Sequence, residues 1–264
     1  MKRYPEENLA VSGNYYLGLA YFQLGRYERA FEHFGSYAAA AVSEEERKWA
    51  RRLQLESLER WGVRKITAAQ PHFESLASEV RYENIAADAR RTLADLLYEQ
   101  NRYHRAQDAY LDFIDYHPMR RDVPDAWFRV ASCYYNIALR AGRGRLHLSE
   151  AAIALEDFLF NFSTHPNAGE AEDMLDEILN LKADKLAEIA AFYHDVRNNP
   201  GAAIECLREL IENFPDTDAA GFASERIEEI RLKYNRAPAG EYVILPLDGV
   251  VLSGEQVEDI SGGQ

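Results

Sequence analysis

The chain has 264 residues, 47% hydrophobic and 28% charged, which is long enough to bury a sizeable core as one extended domain or two compact ones. Aromatics at 12% exclude a mainly disordered chain, and 15 Gly with 9 Pro are few for a turn-dense all-β protein, so the composition leans helical. The net charge of −14 is unevenly spread: residues 1–140 hold 20 Lys/Arg against 20 Asp/Glu, whereas residues 141–264 hold 10 against 24. That balance gives no counterion-release drive toward nucleic acid, which is not expected as a partner. It leaves two readings of the second half, a solvated acidic surface or a dock for a basic partner.

The opening MKRYPEENLAVSG has a basic pair but no apolar core segment or small-residue cleavage site, so it does not read as a signal peptide. No run approaches the roughly 18 apolar residues of a membrane span. Next comes NYYLGLAYFQLGRYERAFEHF, with Leu17-Gly18-x-x-Tyr21 followed by Gly25-x-Tyr27-x-x-Ala30-x-x-x-Phe34. This is the tetratricopeptide pattern, in which Gly18 and Ala30 let two helices cross closely while Tyr21 and Phe34 fill the space beside them.

SEEERK at 43–48 reads as a helix start with Ser43 as cap. It leads into a weaker copy of the pattern, WARRLQLESLERWG with Ala69, Phe73 and Leu76. Clearer copies follow at Leu93-Ala94-x-x-Leu97 with Ala106, Tyr110 and Phe113, and at Val130-Ala131-x-x-Tyr134 with Ala154 and Phe158. In that fourth copy RAGRGRLHLSE reads as a loop between the two helices. The fifth is Ile189-Ala190-x-x-Tyr193 with Ala203, Leu207 and Leu210, and residues 167–182 extend its helix pattern. The sequence thus predicts an all-α, right-handed tetratricopeptide-type solenoid of about five hairpins over 1–234, with repeats near 11–42, 45–80, 87–118, 124–166 and 183–216. A cap helix is expected over 219–234. Residues 235–264 read as a linker and non-helical tail in which EYVILPL and GVVL are strand-like, with Tyr242, Ile244 and Leu245 expected to pack on the solenoid or a partner strand.

No chemistry stands out. The seven His lack metal spacing, RAGRGR lacks the Lys-Ser/Thr of a phosphate loop, and no Ser/His/Asp set has local support, so no enzyme, metal or cofactor is expected. Cys133 and Cys206 read as small buried hydrophobes. Binding is expected on the non-core face of the first helices: Tyr15, Leu19 and Phe22, then Arg91, Asp95 and Tyr98, then Phe128, Ser132 and Tyr135, then Ala187, Ala191 and His194. Aromatics with an Arg suit an extended peptide, although part of this face could instead pack on the chain's own tail or loops. Charge balance implies a salt-tolerant peptide groove in residues 1–140 and a salt-sensitive dock in 141–234.

Residues 85–234 resemble the BamD family of outer-membrane β-barrel assembly lipoproteins in the stretches AQDAYLDFIDYHP, DAWFRVASCYYNIAL, AAIALEDFLFNFSTHPNAGEAEDMLDEI and KLAEIAAFYHDVRNNPGAAIECLRELIENFPDTDAA. The resemblance implies N-terminal repeats that engage unfolded outer-membrane proteins and C-terminal repeats that contact periplasmic domains of the barrel subunit. The family's acylated Cys has no match here, so membrane contact through a lipid anchor does not carry over. The expected location is the periplasmic side of the outer membrane if an export signal was removed, and otherwise the cytoplasm. The alternative reading is a generic tetratricopeptide adaptor of another envelope or cytosolic complex.

Overall fold

The computed structural model describes residues 6–79, 83–140 and 144–235, so the strand-like tail segments with Tyr242, Ile244 and Leu245 lie outside the described residues. Ten helices follow in order: α1 (Glu6–Gln23), α2 (Tyr27–Ala40), α3 (Glu44–Glu79), α4 (Glu83–Glu99), α5 (Tyr103–Tyr116), α6 (Val123–Arg140), α7 (Arg145–Asn161), α8 (Ala168–Asp195), α9 (Pro200–Asn213) and α10 (Asp218–Asn235). The fold is all-α and of tetratricopeptide type. Its residues fall into two compact units, one reaching Ile137 and including Asn161–His165, the other made of Ala138–Phe160 and the described residues from Pro166 onward.

In the first unit α1 packs on α2 and α4 on α5, while α3 is itself a hairpin. Its helical run breaks at Lys65 (φ −147°, ψ 60°). A straight helix would separate residues 61 and 72 by about 16 Å, yet the rings of Trp61 and His72 have centroids 5.1 Å apart. The weak second copy of the repeat is therefore a complete hairpin with a non-glycine turn. In three other hairpins the turn residue is left-handed: Gly25 (φ 69°), Asn101 (φ 60°) and Asn198 (φ 48°). Around Gly25 and Asn101 the backbone closes identically, with Arg26 N bonding Tyr21 O and Arg102 N bonding Leu97 O at 2.9 Å.

The start signals are seen as well. Ser43 Oγ accepts from Glu46 N at 3.1 Å while Glu46 reaches back to Ser43 N, a reciprocal cap. Asn199 accepts from Ala202 N with Pro200 at the first helical position, and Thr217 caps α10.

The crossings follow the small-against-large rule. A Cβ at Gly18 would lie 2.6 Å from the Phe34 ring, and one at Gly62 would lie 2.6 Å from Leu96 and 3.3 Å from Phe73. Ala30, Ala69, Ala106 and Ala203 have no exposed surface. In the fourth repeat Phe158 is buried as expected, but the fully buried small position is Ala151 rather than Ala154, which sits on the half-buried flank of α7. RAGRGRLHLSE is not a loop throughout: α6 continues to Arg140 and α7 begins at Arg145, driven by burial of Leu148 and Ala151 one turn apart. Of the two thiols, Cys133 is buried and its pKa is pushed up to about 12 by that burial, whereas Cys206 is only half-buried.

Two glycines on one helix should respond with opposite signs. Gly13→Ala meets nothing within 4 Å and should gain about 1 kcal/mol from helix propensity. Gly18→Ala must push the Phe34 ring aside and should lose about 1–3 kcal/mol despite the same propensity gain. Urea unfolding of the two variants checks this, and equal effects would refute the crossing.

Candidate functional site

At the N-terminal end, Tyr15 lies half-buried where α1 meets α2 and the first half of α3. Its ring sits 5.2 Å from Tyr16, 5.3 Å from Tyr37 and 5.4 Å from Trp49 between centroids. Tyr16 (67%) and Trp49 (48%) keep much of their surface in water, so the cluster is an exposed aromatic patch rather than sealed core. Burial, then Glu46, raises the Tyr37 pKa and keeps the phenol neutral. Leu19 and Phe22 are also half-buried, Phe22 packing edge-on against Tyr27. Tyr37 and Trp49 were not expected in this face; they come from other helices, and only the hairpin geometry brings them to Tyr15.

Arg91, Asp95 and Tyr98 lie together on α4, but their polar groups are already engaged within the unit. Arg91 donates to Asp122 at 2.7 Å and has Asp95 (3.8 Å) and Asp125 (4.0 Å) beside it. Arg120 grips the same Asp122 through two nitrogens, at 2.8 and 3.0 Å, and also bonds Asp88 at 2.9 Å. Tyr110 donates to Asp95 at 2.6 Å, and the Tyr98 hydroxyl accepts from Asn136 while its ring lies 4.9 Å from the Arg129 guanidinium. The hydrogen bond from Arg120, and that from Arg91, hold the Asp122 carboxyl far below the usual range. Burial opposes the Arg91 charge, but its bond to Asp122 and the three carboxylates outweigh it. Arg91 is therefore a neutralised cross-link between α4 and the segment before α6, not an open clamp for a peptide carboxylate. Phe128 is 4% exposed and Ser132 is fully buried, donating to Phe128 O, because this turn of α6 faces the core. Both leave the expected groove, while Tyr135 remains half-buried.

In the second unit the structure brings Ala187, Ala191 and His194 together. With Leu207 of α9 and Ala219, Phe222 and Ala223 of α10 they line a cavity of about 470 Å³. His194 is 8% exposed, and its Nδ1 donates to Asp195 Oδ1 at 2.5 Å, which lowers the Asp195 pKa. The α10 residues were missed because which face of a cap helix looks inward is set by tertiary packing.

Other histidines serve packing and local bonds: His33 stacks on Tyr21 and bonds Asn14, His72 lies between Phe31 and Trp61, and His165 meets Asp125 at 3.2 Å. No described helix is long and apolar enough to cross a membrane.

Because Asp122 has a lowered folded-state pKa, its contribution is complete above the unfolded carboxylate pKa near 4 and is lost as pH falls toward the folded value. Asp122→Asn should therefore cost about 1–3 kcal/mol at pH 7. The gap to wild type should narrow below about pH 4. Denaturant titrations at pH 7 and pH 3 check this; a pH-independent gap would contradict the network.

The chain matches the family model described as outer membrane lipoprotein, YfiO, over residues 55–238. A tetratricopeptide-repeat model matches residues 14–40, which hold the first hairpin and its turn at Gly25. No curated protein matches the chain significantly. The outer membrane lipoprotein model spans more than two-thirds of the sequence and reaches into both units. On that extent of match, and with its hairpins in place, the chain belongs to the YfiO family of outer membrane lipoproteins, the BamD-like tetratricopeptide proteins.

Proposed function

We propose that this protein is a non-enzymatic scaffold of outer-membrane β-barrel assembly, working at the periplasmic side of the outer membrane. Its N-terminal hairpins hold unfolded client segments and its acidic C-terminal hairpins dock a folded periplasmic domain of the barrel subunit. The observation that carries this reading is the family match across residues 55–238. The physics of the two halves supports it. The first unit offers half-exposed rings at Tyr15, Tyr16 and Trp49, which suit apolar segments of any sequence. All of the excess negative charge lies beyond residue 140, where it favours a basic surface. Of the first-helix residues, Tyr15, Leu19, Phe22, Tyr98 and Tyr135 supply the client contacts, and Arg91 with Asp95 stiffens the helix beneath them.

A fluorescent, unfolded segment of an outer-membrane barrel protein tests this. Binding should weaken about tenfold, roughly 1.4 kcal/mol, in Tyr15→Ala or Phe22→Ala. It should change little between 0.1 and 0.5 M salt, because ring burial is not screened. Phe128→Ala should instead lower stability by about 3–5 kcal/mol. Unchanged affinity in both ring variants, or a steep salt dependence, would contradict the client face.

A further inference from the structure

The second helix of each hairpin turns one side to the core and keeps charge on the other. Among the described residues, α2, the second half of α3, α5 and α9 expose no large apolar side chain there, apart from Tyr116 at the end of α5. Helix α7 departs from this pattern. Its core side holds Leu148, Ala152 and Leu155, while Leu146 (69% exposed), Ile153 (58%) and Phe160 (88%) lie on the opposite side in water. These three recur every seven residues, so they form one row along the helix, about 10.5 Å apart and about 21 Å from end to end. Single exposed apolar residues are ordinary, but a row of three on one helix marks a place where something else packs.

The surroundings of the row restrict what that is. Ser149 and Glu156 flank it on one side, and Glu150 and Asp157 on the other. The basic residues of α7 are Arg145, which lies 3.9 Å from Glu209, and His147, bonded to Glu150 at 3.1 Å. On the Glu156 side α8 brings Lys182, which lies over the Phe214 ring, and Lys185, which bonds Glu188. The row is thus apolar with an acidic margin. A second copy fits it badly, because pairing two α7 helices in either direction brings like carboxylates together. Residues 236–264, with one Arg against five carboxylates, carry the wrong charge, and an anionic bilayer surface is repelled for the same reason. The two-turn spacing suits another helix crossing at about 20°. An extended chain, with same-side residues about 6.8 Å apart, does not match it. We propose that this row docks an amphipathic helix of a partner protein, its apolar residues recurring every seven positions between Lys or Arg. This rests on the docking role proposed above for the acidic C-terminal hairpins and names the element they hold.

Blocked, alanine-based helical peptides of three heptads, titrated against the full chain by fluorescence anisotropy, test it. One carries Leu every seven residues flanked by Lys, a second has Glu in place of Lys, and a third keeps the Lys but scatters the Leu. The first should bind at least tenfold tighter than the other two and lose most of its affinity between 0.1 and 0.5 M salt. Ile153→Ser and Phe160→Ser, both at exposed positions, should each weaken it at least fivefold while leaving the circular dichroism spectrum unchanged. Glu156→Lys should weaken the Lys peptide and strengthen the Glu peptide, whereas Phe222→Ser on α10 should change neither. Equal binding of the three peptides, no measurable binding of the first, or binding that survives both Ser variants would overturn the proposal. So would self-association of the chain, or its binding to anionic phospholipid vesicles, if Ile153→Ser abolished it, since the row would then belong to a second copy or to a membrane. Binding that arises only after residues 236–264 are removed would assign the row to the chain's own tail. Because the probe is a designed peptide, its failure leaves the scaffold reading intact, and a missing barrel-assembly partner leaves the row's preference for a basic helix intact.

Discussion

The fold depends on a small residue of one helix facing a large ring of the next. Gly18 beneath Phe34, Gly62 against Leu96 and Phe73, and the fully buried Ala30, Ala69, Ala106, Ala151 and Ala203 all express that constraint. Close crossing brings the two helices of a hairpin into register, and register decides which side chains are left facing outward. Tyr15 meets Trp49 only because α1, α2 and the first half of α3 are held this closely. The His194 cavity has the same origin: alanines on α8 and α10 permit close approach and leave a space above it.

The two units use charge differently. In the first, Arg91 and Arg120 share Asp122, and Asp88, Asp95 and Asp125 surround them, so the charges of this cluster are engaged locally. Beside it the unit presents the half-exposed aromatic surface of Tyr15, Tyr16 and Trp49. In the second unit, Lys185, Arg208, Arg226 and Arg231 are taken up by glutamates on their own helices, and carboxylates such as Asp184 and Glu225 are left at the rim of the cavity. On the proposed function, the first surface would bind with little dependence on salt and the second with a marked one.

Much of the fold could be read from residue types because the repeat fixes small and large positions and punctuates them with turns. Gly18 with Phe34 and the reciprocal cap at Ser43 were both legible. In the fourth repeat only the small position was misread, because AAIALEDF offers three alanines and packing alone selects Ala151 over Ala154, while Phe158 is buried as expected. Gly-rich RAGRGR concealed the start of α7 for a similar reason, its local composition outweighing the burial of Leu148. The candidate site was legible by face and not by chemistry. The frame put Arg91, Asp95 and Tyr98 on one face of α4, but the engagement of Arg91 by Asp122 depends on a residue 31 positions away. The frame grouped His194 with Ala187 and Ala191, which line one cavity, whereas the α10 wall opposite them is a tertiary fact.

The central claim is that two surfaces of this protein hold two different kinds of protein. Site-specific photo-crosslinking in the native cell, with the reactive side chain at Tyr16 in one variant and at Phe222 in another, tests it most directly, since both positions are exposed and neither is core. The account predicts that position 16 captures unfolded outer-membrane barrel chains and that position 222 captures a folded subunit of the assembly machinery. Capture of one and the same protein at both positions, or of proteins unconnected with the outer membrane, would contradict it.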